Sequence, residues 1–272
     1  MKISKKVLTS VAALSISTSA FAHFQMIHTE KSDITGMKKV PFELMFTHPA
    51  DGVEAHNMNI GQDEKGVLHG MKDFYVVHKG KKKEASQYLK KSTFGEGKHE
   101  VSSFKFELDR KTGLRGGGDW GLVAVPAPYY EGSEGIYIQQ ITKTFVNKDD
   151  ITTDWQDRIA EGYPEILPKS MPTNVWKGQV FTAQVVDTEG KPVSGAEVEI
   201  EYVNANVKNS NFVGANKTEK AAMVLLADDD GYFSFIPQEA GYWGFAALGA
   251  GGEKTYNGKE LSLDAVLWIE AK

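Results

Sequence analysis

The hydrophobic positions of this chain alternate far more often than they spiral. In 101–108, Phe104, Phe106 and Leu108 share one face with polar residues between them, the period of two that side chains follow along a strand. Residues 40–46 (VPFELMF), 74–78 (FYVVH), 121–125 and 136–145 (IYIQQITKTF) read the same way, separated by Gly, Asn, Asp and Lys clusters. The pattern resumes in 178–186 and 193–203, where Val198, Ile200 and Tyr202 alternate strictly, and then in 222–226, 232–236, 241–246 and 261–269. No long stretch keeps a clean helical period, and the helical candidates are short, 84–91 and 155–161. The expectation is an all-β fold of two β-sandwich-like domains.

Residues 149–176 break the alternation and contain Pro164, Pro168 and Pro172, which predicts a linker with one helical turn. The N-terminal β domain then covers 23–148 and the C-terminal sandwich 177–272. Three segments of the second half, Gly190-Lys191-Pro192-Val193-Ser194-Gly195-Ala196, Asp230-Gly231-Tyr232-Phe233-Ser234-Phe235 and Ala240-Gly241-Tyr242-Trp243, resemble prealbumin-like and carboxypeptidase-regulatory-like sandwich modules. The lysine cluster at 79–83 reads as a hairpin tip. Gly116-Gly117-Gly118 reads as a turn or bulge, and Asp228-Asp229-Asp230-Gly231 as a turn rather than a calcium loop.

The first 22 residues follow another rule. Lys2, Lys5 and Lys6 precede an apolar stretch softened by Ser and Thr, and Ala20-Phe21-Ala22 supplies a small-x-small cleavage site. This predicts a secretory signal cleaved after Ala22 and delivery to a bacterial periplasm. The stretch is shorter than the roughly 20 residues of a spanning helix, and no later apolar run approaches that length, so no transmembrane segment is expected in the mature chain. Cleavage shortens the 272-residue chain to 250 and moves its formal charge from −5 to −8. That acidity argues against nucleic acid as a partner. The absence of cysteine excludes disulfides, zinc–thiolate and iron–sulfur sites, and a thiol nucleophile. No Gly-x-Ser-x-Gly elbow or His-Glu-x-x-His helix is present, so the expectation is a non-enzyme.

The candidate chemistry lies in the histidines, all seven of which fall between His23 and His99. Cleavage would make His23 the first residue. Its α-amine, with an ordinary pKa of about 7.7–8.0, and its imidazole could then chelate one metal. His48 stands at a strand end before Pro49. His56 follows eight residues later, and in an extended chain it shares a face with Met58. Imidazole and amine nitrogens suit nickel, cobalt, copper or zinc, and the Met58 thioether would favour copper(I). His28 would point to the face of its strand opposite His23. His69, His78 and His99 read as ordinary surface residues. Trp120, Tyr129 and Tyr130 read as packing residues or as a wall beside such a site.

The order of these segments resembles a known family. His23-Phe24-Gln25-Met26-Ile27, Phe46-Thr47-His48-Pro49, Gly118-Asp119-Trp120-Gly121, Pro126-Ala127-Pro128-Tyr129-Tyr130, Thr142-Lys143-Thr144 and the Gly-Lys-Pro-Val module follow one another. Together they resemble a bacterial family of periplasmic proteins, long catalogued as a domain of unknown function. Its members often accompany nickel and cobalt uptake transporters as accessory substrate-binding components. The resemblance implies a metal-delivery role, with nickel or cobalt as the ion, membrane transporter components as partners, and His23 and His48 as ligands. At His56 this chain departs from the glycine-rich sequence the family commonly shows, and Met58 matches its nearby methionine loosely. Two other readings stand beside this one. His23 with His48 or His56 could form the histidine brace of a copper-dependent oxidative enzyme, with Tyr129 near the axial position. The third reading is a metal-free structural or adhesive protein.

Overall fold

The computed structural model describes residues 23–214 and 222–272; the segment read as a signal, 1–22, lies outside the described residues. The first half supplies strands β1 (Phe24–His28), β2 (Lys39–Thr47), β3 (Asn57–Met58), β4 (Met71–His78), β5 (Lys81–Glu84), β6 (Lys90–Phe94), β7 (Val101–Asp109), β8 (Gly118–Pro126), β9 (Tyr129–Glu131) and β10 (Ile136–Lys148). The second half supplies β11 (Glu165–Pro168), β12 (Phe181–Val186), β13 (Glu197–Tyr202), β14 (Asn206–Val207), β15 (Phe212–Val213), β16 (Met223–Leu226), β17 (Tyr232–Phe235), β18 (Gly241–Ala247), β19 (Lys254–Tyr256) and β20 (Lys259–Ala271). The only helical pieces among the described residues are 3-10 turns at Pro49–Glu54, Ser86–Tyr88 and Gly97–His99. The chain is therefore all-β, as its alternation predicts.

Three sheets stack. The central one has ten strands, in the order β16-β13-β18-β20-β10-β8-β4-β5, with β9 on β10 and β19 on β20. A five-stranded sheet (β1-β2-β7-β6, with β3 on β2) covers one face, and a three-stranded sheet (β11-β12-β17) covers part of the other. The period of two sorts the apolar side chains between the layers. On β4 and β8, Phe74, Val76, Leu122 and Ala124 turn toward the five-stranded sheet, where they meet Phe42, Leu44 and Phe106. Their neighbours Tyr75, Val123 and Val125 join the opposite core with Phe181, Phe245 and Leu267. A strand covered on both faces has no polar side to keep, so all nine residues of β8 are buried.

The two halves named from the sequence share the central sheet. The joint is β10 against β20, parallel from Tyr137↔Leu261 to Thr144↔Trp268, while every other pairing between described strands is antiparallel. The five-stranded sheet also packs across this joint: Phe24, Met26 and Met45 share a core with Tyr242, Ala246, Val266 and Trp268.

Neither helical candidate forms a helix. In 84–91 the chain makes one 3-10 turn and enters β6. The Ala85 N–H donates to the Phe74 carbonyl and the Ser86 hydroxyl accepts from the Phe74 N–H, which ties the segment to the edge of β4. In 155–161 the N–H groups of Ile159 and Ala160 donate to the Glu165 carboxylate, at 3.0 Å each, instead of to helical carbonyls. The segment 149–176 also holds β11, which pairs with β12. The lysine cluster is a hairpin tip: Lys79 and Gly80 take positive φ and join β4 to β5 in two residues.

Glu165 is buried against the Lys143 ammonium, 2.6 Å from Oε1, with both side chains almost fully enclosed. The Arg158 Nε lies 3.6 Å from the same carboxylate. Removing one partner of such a pair strands the other charge in the core. Glu165→Ala is therefore expected to lower the unfolding free energy by about 3–5 kcal/mol in urea denaturation. Loss of the exposed Lys39–Glu107 pair should leave the unfolding free energy almost unchanged.

Candidate functional site

Strand register builds the site. Phe24 lies opposite Thr47 and Thr47 opposite Asn57, so the residues next in line, His23, His48 and His56, form a row across three strand ends. The 3-10 turn at Pro49–Glu54 brings the chain back, and the His48 N–H donates to the His56 carbonyl at 3.2 Å. The His23 ring lies 4.1 Å from that of His48 and 5.6 Å from that of His56, centroid to centroid. His23 Nε2 is 3.4 Å from His56 Nδ1.

Three of the four sequence-predicted residues thus converge. Met58, facing Phe46 across the ladder, packs with Phe46, Ile60 and Tyr129, and its sulfur lies 3.9 Å from the Tyr129 hydroxyl. That hydroxyl donates to Glu131 at 3.0 Å, and Glu131 in turn lies 3.8 Å from His23 Nδ1. The other histidines lie elsewhere. His28 packs against Tyr242, His78 stacks on Trp120 at 3.6 Å, and His69 pairs with Asp63 at 2.8 Å.

Two carboxylates escaped the sequence reading. Glu131 sits on the short strand β9 beside His23. Glu201 comes from β13, 153 positions after His48, and its Oε1 lies 3.2 Å from His48 Nδ1. Its other oxygen accepts from the Ala50 N–H at 3.1 Å. A proton on Nδ1 directed at this carboxylate would leave the Nε2 lone pair free, the arrangement a second-shell acid imposes on a metal-binding histidine. The signal was present in Glu197-Val198-Glu199-Ile200-Glu201-Tyr202: Glu199 and Glu201 alternate with the apolar residues, yet β13 is buried on both faces. A buried carboxylate on a two-sided strand requires a partner.

Burial, with the neighbouring His48 and His56, pushes the His23 imidazole down to about 3, against an opposing pull from Glu131. His23 is therefore neutral near pH 7, the state in which imidazole binds metals. Burial alone pushes His28 down to about 4. Glu201 is pushed up by burial, opposed by His48. A cavity of about 90 Å³ opens beside His23, bordered by Tyr129, Glu131, Glu134, Gln140 and Asp264, room for an ion with a few waters. Among the described residues no three His, Asp or Glu side chains are arranged to hold a metal by themselves. The row offers pairs of imidazoles centred on His23, and a second kind of nitrogen would come from a free His23 amine.

A family model described as "Domain of unknown function (DUF4198)" matches residues 20–251. No curated protein matches the sequence. Among solved structures, the D0-D1 domain of intimin aligns over 92% of this chain and all of its own length, at 11% identity and a TM-score of 0.20. The Escherichia coli adhesin FdeC aligns over 90% of this chain and 65% of its own, at 14% identity and 0.20. The Yersinia pseudotuberculosis adhesin InvE aligns over 89% and 58%, at 11% identity and 0.22. TM-scores this low do not define a common fold.

His28 gives a clean electrostatic readout because it stands apart from the histidine row. Its folded-state pKa lies below its unfolded value, so the unfolded chain binds the extra proton. Its contribution to stability is complete above pH 6.5 and is lost as the pH falls toward about 4. Unfolding free energies measured across that window should fall less steeply in His28→Gln than in the unaltered chain.

Proposed function

The chain belongs to the DUF4198 family, and from its histidine row we propose that it is an exported protein that binds a divalent transition metal as cargo and passes it to a membrane uptake transporter. Nickel or cobalt is the ion this reading places first, with copper next. The observation that carries it is the convergence of His23, His48 and His56 from separate stretches of chain onto one strand-end row.

The donor chemistry supports the reading. Neutral imidazoles suit nickel, cobalt and copper. Cleavage after Ala22 would add the His23 amine, which closes a chelate ring with its own imidazole. Glu131, Glu134 and Asp264 around the adjoining cavity make the approach favourable to a cation. Such a shell is incomplete, and incompleteness suits a carrier. Ligands of a recipient can enter the open positions before the histidines leave, so the ion never has to return to water alone. In this scheme Glu201 orients His48 and raises its basicity without touching the ion.

Two purified forms test the proposal, one beginning at His23 and one with an extra residue before it. Each is titrated with nickel, cobalt, copper and zinc under native mass spectrometry and calorimetry. The form beginning at His23 should bind one ion, and both the extended form and His48→Ala should bind at least about tenfold more weakly. Glu201→Gln should cost about 10–100-fold in metal affinity. No binding, or equal binding by both forms, removes the proposal.

A further inference from the structure

The two edges of the His23 ring face different groups. Nε2 looks toward His56, 3.4 Å from its Nδ1. Nδ1 looks toward Glu131, 3.8 Å from Oε2. The lone pairs of the two ring nitrogens diverge, so a single ion uses one edge or the other.

Chelation selects the edge. A terminal amine, Cα, Cβ, Cγ and Nδ1 close a small ring around an ion, whereas Nε2 points away from its own backbone and closes none. The space lies on the same side. The cavity of about 90 Å³ is walled by His23 and Glu131, and by neither His48 nor His56.

Glu131 is fixed for the task by the hairpin that joins β9 to β10. It stands opposite Ile136, and its carbonyl accepts from the Gly135 N–H at 2.8 Å. A carboxylate offers about four lone-pair positions. At Oε1 the N–H and hydroxyl of Ser133 fill two, at 3.0 and 2.6 Å, and at Oε2 the Tyr129 hydroxyl fills one, at 3.0 Å. The remaining position belongs to Oε2, the oxygen nearer His23. Its 3.8 Å gap to Nδ1 is too long for a hydrogen bond. It is close to the roughly 3.4 Å between two donors bound at about 2.1 Å to one tetrahedral ion.

Resting on the carrier reading, we propose that Glu131 is a metal ligand: the ion sits on the Glu131 edge of His23, held by the terminal amine, Nδ1 and Oε2, while His56 is a positioning residue. A ring metallated at Nδ1 keeps its proton on Nε2, and His56 Nδ1 stands where an acceptor for that proton is needed. The amine supplies the third donor that the side chains of the described residues lack. Amine, imidazole and carboxylate together suit a divalent ion, and the soft Met58 sulfur stays with Phe46, Ile60 and Tyr129.

The form beginning at His23 tests this, loaded with zinc and read by proton–nitrogen NMR correlation of its imidazoles. His23 should show a metal-shifted Nδ1 and a protonated Nε2, and neither nitrogen of His56 should carry the ion. Calorimetry of Glu131→Gln should show nickel and zinc bound at least about tenfold more weakly, with the NMR spectrum away from the site unchanged. Zinc on His23 Nε2 or on His56, or unaltered affinity in Glu131→Gln, overturns the assignment and leaves the carrier reading standing. No ion bound by the unaltered form removes that reading, and the assignment with it.

Discussion

The parallel pairing of β10 with β20 is the constraint from which the rest of the molecule follows. It fuses strands from the two halves of the chain into one sheet, and the flanking layers then bury 139–147 of β10 and 263–269 of β20. On β20, Ala265, Leu267 and Ile269 enter one core while Val266 and Trp268 enter another. Trp268 lies directly over Gly244, where an added Cβ would stand 2.6 Å from the ring. That glycine is fixed by packing rather than by backbone freedom. Because both faces are closed, polar atoms at the joint need internal partners, and Gln25 supplies several. Its carbonyl accepts from the Trp268 indole at 2.9 Å, its N–H donates to Gln140 at 2.7 Å, and its side chain reaches the Met45 carbonyl at 3.0 Å.

Those bonds anchor β1, beside whose first residue His23 joins the histidine row. Gln25 is two residues from His23 and three from His28, and strand alternation sends the two histidines to opposite sides. The histidine row therefore rests on a strand held by the joint, and its middle member is oriented by Glu201 from the other half. The proposed carrier site would be held on the His48 side by Glu201 and bordered on the His23 side by a small cavity lined by Glu131, Glu134 and Asp264. Rigid positioning with one open edge is what reversible loading requires, since a closed shell would hold the ion against transfer.

Buried charge recurs wherever the sheets meet. The Lys143–Glu165 pair links the central sheet to the three-stranded one, and the Glu165 carboxylate also takes the N–H groups of Ile159 and Ala160. This one side chain explains why 155–161 does not coil. Its backbone donors are satisfied by a residue beyond the turn, so the helical alternative gains nothing.

The sequence by itself determined the strands, because an alternating pattern on a β-branched and aromatic chain has one good burial solution. It also marked His23 as the residue after the predicted cleavage point, His48 at a strand end before Pro49, and His56 as sharing a face with Met58 in an extended segment. It marked the hairpin at Lys79-Gly80 by turn chemistry alone. Only the tertiary structure decided that the two halves share a sheet, that Glu165 is a core residue, and that Glu201 and Glu131 stand beside the histidines. These contacts join residues far apart in the chain or buried on both faces of a strand. Local hydrophobic period does not encode them, because it records which face is buried and not which distant strand covers it.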